Sequence, residues 1–367
     1  MKILILALLL CSSLLTGCMD SKNQTTKDSA SAVAEFRSFE PFPTDYSKNN
    51  ILCAHVTDSS VWLGTDRGAL EYSLDLKDLK KQYLEGEKVF KLNSYKGTVY
   101  AATEKKGLHV LPKGQFQFYH SKSSKIRDFT IDPETGNIYC ATSHGVDIWK
   151  DGSWFNTKIK SSHEYSNKAN DVTAVARDSK GGYWFGTSFG VYRMLSESSF
   201  DFFYGDYQVI QGMTIINHSG NSPLKGNLFY NIYSSPEGEV YFATNGGAAV
   251  LKQPDGGRNS SNWTVYNGQH KKSVMQNGQL ENILLDGNSP IPSNFINDVM
   301  RVRDTLYVAT SKGLSRLRDN TWVTFNLDNQ LLGDTVHSLS AYETIEAVDV
   351  YVCTNGGLTI IHHPKTL

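Results

Sequence analysis

A catalytic reading of this chain has few side chains to draw on. Asp66, Glu104 and His144 fall in the turns of a recurring phrase, and His218 and His270 fall in longer segments between its copies. Imidazole and carboxylate groups are the usual proton carriers near neutral pH. None of these sits in a GxSxG elbow, an HExxH helix, a Gly-rich phosphate loop or a paired-carboxylate motif. No CxxC pair or His/Cys cluster has zinc-ligand spacing. We therefore expect no catalytic residue, no metal and no cofactor. Binding is the better-supported chemistry, and its candidates are the variable turn residues: Arg67, Lys105, His144, Phe189, Asn245, Lys312 and Asn355, one in each copy of the phrase.

The elements that must carry these residues are set by the phrase itself. It begins VWLGTDRGALEY at Val61 and returns at Val99, Ile138, Tyr183, Val240, Leu306 and Val350. Each copy places an aromatic (Trp62, Tyr100, Tyr139, Trp184, Tyr241, Tyr307, Tyr351) three residues before a Thr (Thr65, Thr103, Thr142, Thr187, Thr244, Thr310, Thr354). A Gly follows three or four places later (Gly68, Gly107, Gly145, Gly190, Gly247, Gly313, Gly357). A period near forty residues means stacked or ringed supersecondary units. The fullest copy, Phe295 to Asn326, reads as FINDVMRV, TLYVAT, KGLSRLR and TWVTFN, which is four short antiparallel strands, A to D. The Thr and Gly are expected to be turn chemistry, and the aromatic to pack between neighbouring units. Strand D recurs as an aromatic pair: Phe116 and Tyr119, Phe200 and Phe203, Trp263 and Tyr266, Trp322 and Phe325, with Trp154 and Phe155 as a variant.

The last unit lacks a D strand at its own end. Glu35 to Phe42 supplies the missing aromatics, since Phe36 and Phe39 repeat the D-strand spacing just before the first A strand. The expected architecture is all-β: a seven-bladed β-propeller of four-stranded antiparallel blades, closed by an N-terminal strand that completes the last blade. Composition agrees, with 19 Tyr, 17 Phe and 30 Gly in 367 residues, and the formal net charge of -1 favours neither nucleic acid nor an anionic membrane surface. The units resemble the two-component regulator propeller repeats, most closely at Trp62 to Leu70 and Trp184 to Val191. The run Ile291, Pro292, Ser293, Asn294 and on to Val299 resembles that family's entry into strand A. The resemblance covers about residues 35 to 363. It implies a periplasmic sensing or recognition domain of the kind found in hybrid histidine kinases. No kinase or receiver segment follows residue 363 in this sequence, so only the recognition role is expected to carry over.

The first residues have another purpose. Met1 and Lys2 precede an apolar run from Ile3 to Leu15, the length of a signal-peptide core, and Leu15, Thr16, Gly17, Cys18 resembles a bacterial lipobox. The expected organisation is a lipoprotein signal at 1–17, a lipidated Cys18 with a flexible tether at 18–34, and the propeller at 35–367. In a Gram-negative cell, Met19 directly after the Cys, with Asp20 only one place later, resembles outer-membrane rather than inner-membrane-retained lipoproteins. Cys53, Cys140 and Cys353 are expected to be buried thiols, with a Cys53 to Cys353 bridge left open. Phrase aromatics are 38, 39, 45, 57, 66 and 44 residues apart, so two insertions stand out, about 206–226 and 267–291, both joining a D strand to the next A strand. They should rise together over blades 4 to 6, on the face that carries the variable turns. The expected function is that of a membrane-anchored envelope lipoprotein recognising a glycan or a partner protein. A propeller hydrolase or lyase and a structural role in the envelope are the alternatives, and no nucleic-acid partner is expected.

Overall fold

The computed structural model describes residues 35–41, 49–112, 114, 117–119, 123, 125–160, 163–196, 199–212 and 214–365. The signal, Cys18 and its tether, Phe42 and Phe116 lie outside the described residues. Seven four-stranded antiparallel sheets form the blades, and two further two-stranded hairpins are inserted between them. The A strands, which line the centre, are Ile51–Val56, Val89–Tyr95, Asp128–Ile131, Val172–Arg177, Phe229–Ser234, Ile296–Val302 and Val336–Glu343.

Each B to C turn is built from the repeated Thr and Gly. The Thr hydroxyl donates to the carbonyl of the Gly at 2.7–2.9 Å in all seven blades. The same oxygen accepts a turn amide, as from Arg67, Lys106, His144, Phe189, Gly246, Lys312 and Gly356. Gly is required because strand C starts at positive φ: Gly145 sits at 106°, and a Cβ there would stand 2.4 Å from the carbonyl oxygen of Thr157 in strand D. Both parts of the phrase are hairpin chemistry, as the sequence suggested.

The phrase aromatic faces the next blade. Trp184 of blade 4 is fully buried against Phe242 of blade 5, Tyr139 stacks on Tyr183 with ring centroids 3.9 Å apart, and Tyr307 of blade 6 packs with Val350, Val352 and Ile361 of blade 7. Cys53, Cys140 and Cys353 are buried and free, with no bridge between blades 1 and 7. Burial pushes the Cys53 thiol up to about 12.

Closure follows the expected route. Glu35–Phe39 pairs antiparallel with Gly357–Pro364, from Glu35 opposite His362 to Phe39 opposite Leu358, and becomes strand D of blade 7. Its two rings grip both neighbours: Phe36 meets Phe325 of blade 6 at 5.0 Å, and Phe39 meets Tyr72 of blade 1 at 5.0 Å. Leu358 adjoins the B to C turn, so Phe39 lies at the face bearing those turns, here called the upper face, and Glu35 lies at the lower one. Removing residues 35–39 strips strand D from blade 7 and exposes Ile361 and Tyr72. The melting temperature of the truncated chain, followed by circular dichroism, should fall by several degrees, and Phe36→Ala with Phe39→Ala should reproduce most of that fall, each half-buried ring contributing about 1–2 kcal/mol.

Candidate functional site

Six of the seven turn residues named from sequence, Arg67, Lys105, His144, Asn245, Lys312 and Asn355, are exposed on the upper face, one per blade around the ring. They are not gathered at one point. Asn245 and Asn355 are occupied by the fold, since their side-chain oxygens accept the amides of Leu228 and Thr335 and so tie the turn to the preceding D to A connection. Lys158 donates to the carbonyl of His144. Arg67 lies 4.0 Å from Asp66. Phe189 is the exception, being only 7% exposed.

What buries Phe189 is a cap over blade 4. The connection from blade 3 brings His163 and Tyr165 against it, at 5.2 and 4.6 Å between ring centroids, and the first inserted hairpin brings Tyr207 edge-on at 5.2 Å. Phe202 and Tyr204, at the end of strand D, complete the cluster, and Tyr207 stacks on His218 at 4.5 Å and 3°. The Tyr207 hydroxyl donates to Glu164. Burial, then that bond to an anionic acceptor, raises the phenol well above its usual range. The connection 158–171 is short enough that phrase spacing does not single it out, and its aromatic pair was the only signal for this cap.

The two longer insertions fold as hairpins, Tyr207–Gln211 with Thr214–His218, and His270–Gln276 with Gln279–Leu285. They touch, and Gln208 Nε2 of the first donates to the Ser273 carbonyl of the second at 3.3 Å. Neither joins a blade sheet. Ile210, Ile216, Leu280 and Leu284 remain 36–58% exposed on them.

The second concave feature is the centre of the ring, a cavity of about 270 Å³ lined by the upper halves of A strands. Six A strands carry a register shift directly after their first residue, at Leu52, Phe90, Thr173, Tyr230, Asn297 and His337. Such bulges add one residue and turn it out of the ladder. Leu52, Phe90, Tyr230, Asn297 and His337, together with Arg127 at the same place in blade 3, line the cavity. This ring and the one below it clamp the blades to each other. Arg127 donates to the Val172 carbonyl at 3.0 Å, Thr173 to that of Phe229 at 2.6 Å and Asn297 to that of Val336 at 2.8 Å. His337 meets Asn50 at 2.8 Å, and His55 meets Ser94 at 2.8 Å. Burial holds both imidazoles down at about 4, so they are neutral at neutral pH.

Asp128 and Asp298 act as paired staples one position deeper. Asp128 accepts the amides of Phe129 and, across the seam, Val175, both at 2.9 Å. Asp298 accepts those of Val299 and, across the seam, Leu339, both at 2.7 Å, and also the Asn231 amide at 2.7 Å. Lys91 approaches Asp128 at 3.5 Å. Sequence reading missed this layer because its residues follow no repeat.

The groups considered for catalysis are not assembled. Glu104 pairs with Lys125 at 3.7 Å, His218 lies 3.9 Å from Glu164, and His270 faces Gly268 and Asn267. Among the described residues no group of three or more His, Cys, Asp or Glu side chains could hold a metal ion. No described helix is long and apolar enough to cross a membrane.

Blade number, strand order and closure together define a seven-bladed β-propeller. Residues 168–189 match the family model of the two component regulator propeller, so blade 4 carries the repeat that the sequence resembles. No curated protein matches the sequence. Among solved structures, virginiamycin B lyase from Staphylococcus aureus superposes with a TM-score of 0.61 at 12% identity, covering 90% of this chain and 99% of that one. PorZ of Porphyromonas gingivalis, a surface component of the type-IX secretion system, superposes at 0.57 and 13% identity, over 85% of this chain but only 46% of its own. The WD40 propeller domain of Doa1 gives 0.56 at 11% identity, covering 91% and 97%. At such identities the likeness is one of fold.

The buried carboxyl of Asp298 offers a direct test of the clamp. Burial raises it to about 6, against about 4 in an unfolded chain. A raised acid binds its proton more tightly when folded, so its contribution is complete below pH ~4 and is lost as pH rises to ~6, by about 2–3 kcal/mol. Asp298→Asn removes that slope and turns an amide N–H toward one of three donors, at a cost of about 1–3 kcal/mol. Urea unfolding of both forms at pH 4 and pH 7 should show the larger deficit at pH 4, and equal deficits would show that Asp298 is not a titrating clamp.

Proposed function

We propose that this protein is a lipid-anchored recognition module of the cell envelope that binds a partner protein through its upper face, over blades 4 to 6, without catalysing a reaction. The observation carrying this reading is the pair of projecting hairpins with exposed Ile210, Ile216, Leu280 and Leu284 beside the aromatic cap. Exposed aliphatic surface of this kind marks protein contacts. The lipobox at Leu15 to Cys18 supplies the anchor. Two acyl signals or more are needed for firm attachment, which the acylated Cys of a lipoprotein provides.

The placement of the chain supports the same reading. Glu35, the first described residue, lies at the lower face, opposite the hairpins, and a propeller anchored from that side presents its hairpins away from the membrane. A glycan is the second reading, favoured by the cluster of partly exposed rings around Tyr165, Tyr204 and Tyr207, because aromatic faces suit sugar rings.

Two outcomes are expected. Cys18→Ser should release the protein from the membrane fraction of the producing cells, and a variant that remained fully membrane-bound would remove the lipid anchor from the proposal. A photoreactive residue at Ile216 should capture one defined envelope protein, and capture should be lost in an Ile210→Ser, Leu284→Ser variant whose melting temperature is unchanged. Capture of no protein, with binding to an immobilised polysaccharide, would replace the partner protein by a glycan.

A further inference from the structure

The clamping residues explain the wall of the central cavity but leave its ammonium groups with spare donors. Asp128 and Asp298 direct both carboxylate oxygens at wall amides. Lys91 stands between them with a side chain 35% exposed to the cavity, and its 3.5 Å approach to Asp128 is longer than the 2.7–2.9 Å of a charge-assisted bond. At the mouth, Phe90 projects from its bulge with Lys88 and Lys125 held over its ring, 5.3 and 5.6 Å from the centroid. No described residue forms an ion pair with Lys88.

The inventory is therefore unbalanced in one direction. The carboxylates of Asp128 and Asp298 are already satisfied by backbone amides, while the ammonium groups of Lys88 and Lys91 can still donate, with that of Lys125 shared with Glu104 at 3.7 Å. His55 and His337 are held neutral and add no competing charge. A cation would meet Lys91 and find its carboxylate neighbours committed. An oxyanion would supply the missing acceptors, with its charge partly desolvated inside the ring, where a charge-assisted bond is strongest. The volume of about 270 Å³ is at the lower end of small-ligand sites.

We propose that the upper half of the central cavity is a binding site for the oxyanion group, carboxylate, sulfate or phosphate, of a small ligand, with Lys91 as its inner contact and Lys88 and Lys125 drawing it in over Phe90. The site is separate from the hairpin face and stands or falls independently of the proposed partner.

The test uses the purified chain and inorganic phosphate, read by broadening of the phosphorus resonance at constant ionic strength near neutral pH, with malonate and sulfate as competitors. Saturable broadening is expected, reversed by whichever competitor shares the site. The Lys88→Met, Lys125→Met variant should weaken it about tenfold, the effect of roughly 1.4 kcal/mol, while leaving the melting temperature unchanged. Lys91→Met should abolish it. Lys271→Met on the second hairpin, far from the cavity, should leave it intact. Broadening that was absent with phosphate and undetectable as binding of malonate or sulfate, or that survived both cavity variants, would overturn the proposal.

Discussion

A ring of separate sheets depends on its seams. Each blade is a complete antiparallel sheet and no strand ladder runs from one blade to the next, so nothing inside a blade makes the ring. The seams do, and each has an apolar and a polar part. The aromatic of strand B supplies the first, as Trp184 does against Phe242. The second lies at the axis, where every junction has a polar contact: His55 with Ser94, Lys91 with Asp128, Arg127 with Val172, Thr173 with Phe229, Asn231 with Asp298, Asn297 with Val336, and His337 with Asn50. These contacts sit where seven backbones converge; three of them satisfy a carbonyl of the next blade, at Val172, Phe229 and Val336, and four join side chain to side chain, so unlike residues hold the seams seven times.

The frame was legible in the sequence because its chemistry repeats. A Thr that must bond a Gly carbonyl, and a Gly that must reach positive φ, tolerate no substitutes at the turn, so the phrase survives in every blade. The closing strand was legible for a related reason: Phe36 and Phe39 must fill the same slots as Trp322 and Phe325. The axis was not legible, since Leu52, Phe90, Thr173, Tyr230, Asn297 and His337 share only a place in a bulge, with Arg127 at the matching position of blade 3, and a bulge imposes geometry without demanding a residue type.

The candidate site was legible in outline and misread in detail. Chain-length differences located the hairpins and the face that bears them. Phe189 was placed correctly on a turn, yet its ring is covered by Tyr165 and Tyr207 from two other segments. Contacts among rings brought together from distant parts of the chain leave no periodic trace. Asn245 and Asn355, which look like displayed polar residues, are followed by two glycines because the turn presses on the neighbouring connection; a Cβ at Gly246 would stand 2.0 Å from the Lys225 carbonyl oxygen.

The strand that completes blade 7 also sets a timetable. Glu35 pairs with His362, a separation of 362 − 35 = 327 residues. Strands A, B and C of that blade leave the ribosome after the six other blades, whereas their partner precedes all of them. Until the final segment arrives, the outer edge for which residues 35–39 are intended does not exist, and those residues wait with Phe36 and Phe39 uncovered. Closing so long a loop costs entropy that grows slowly with length but must be met before any of the pairing is gained. The ring is therefore a checkpoint on completeness: a chain cut short before blade 7 is finished has an open seam and two unburied phenylalanines, which is the kind of surface that chaperones and proteases engage.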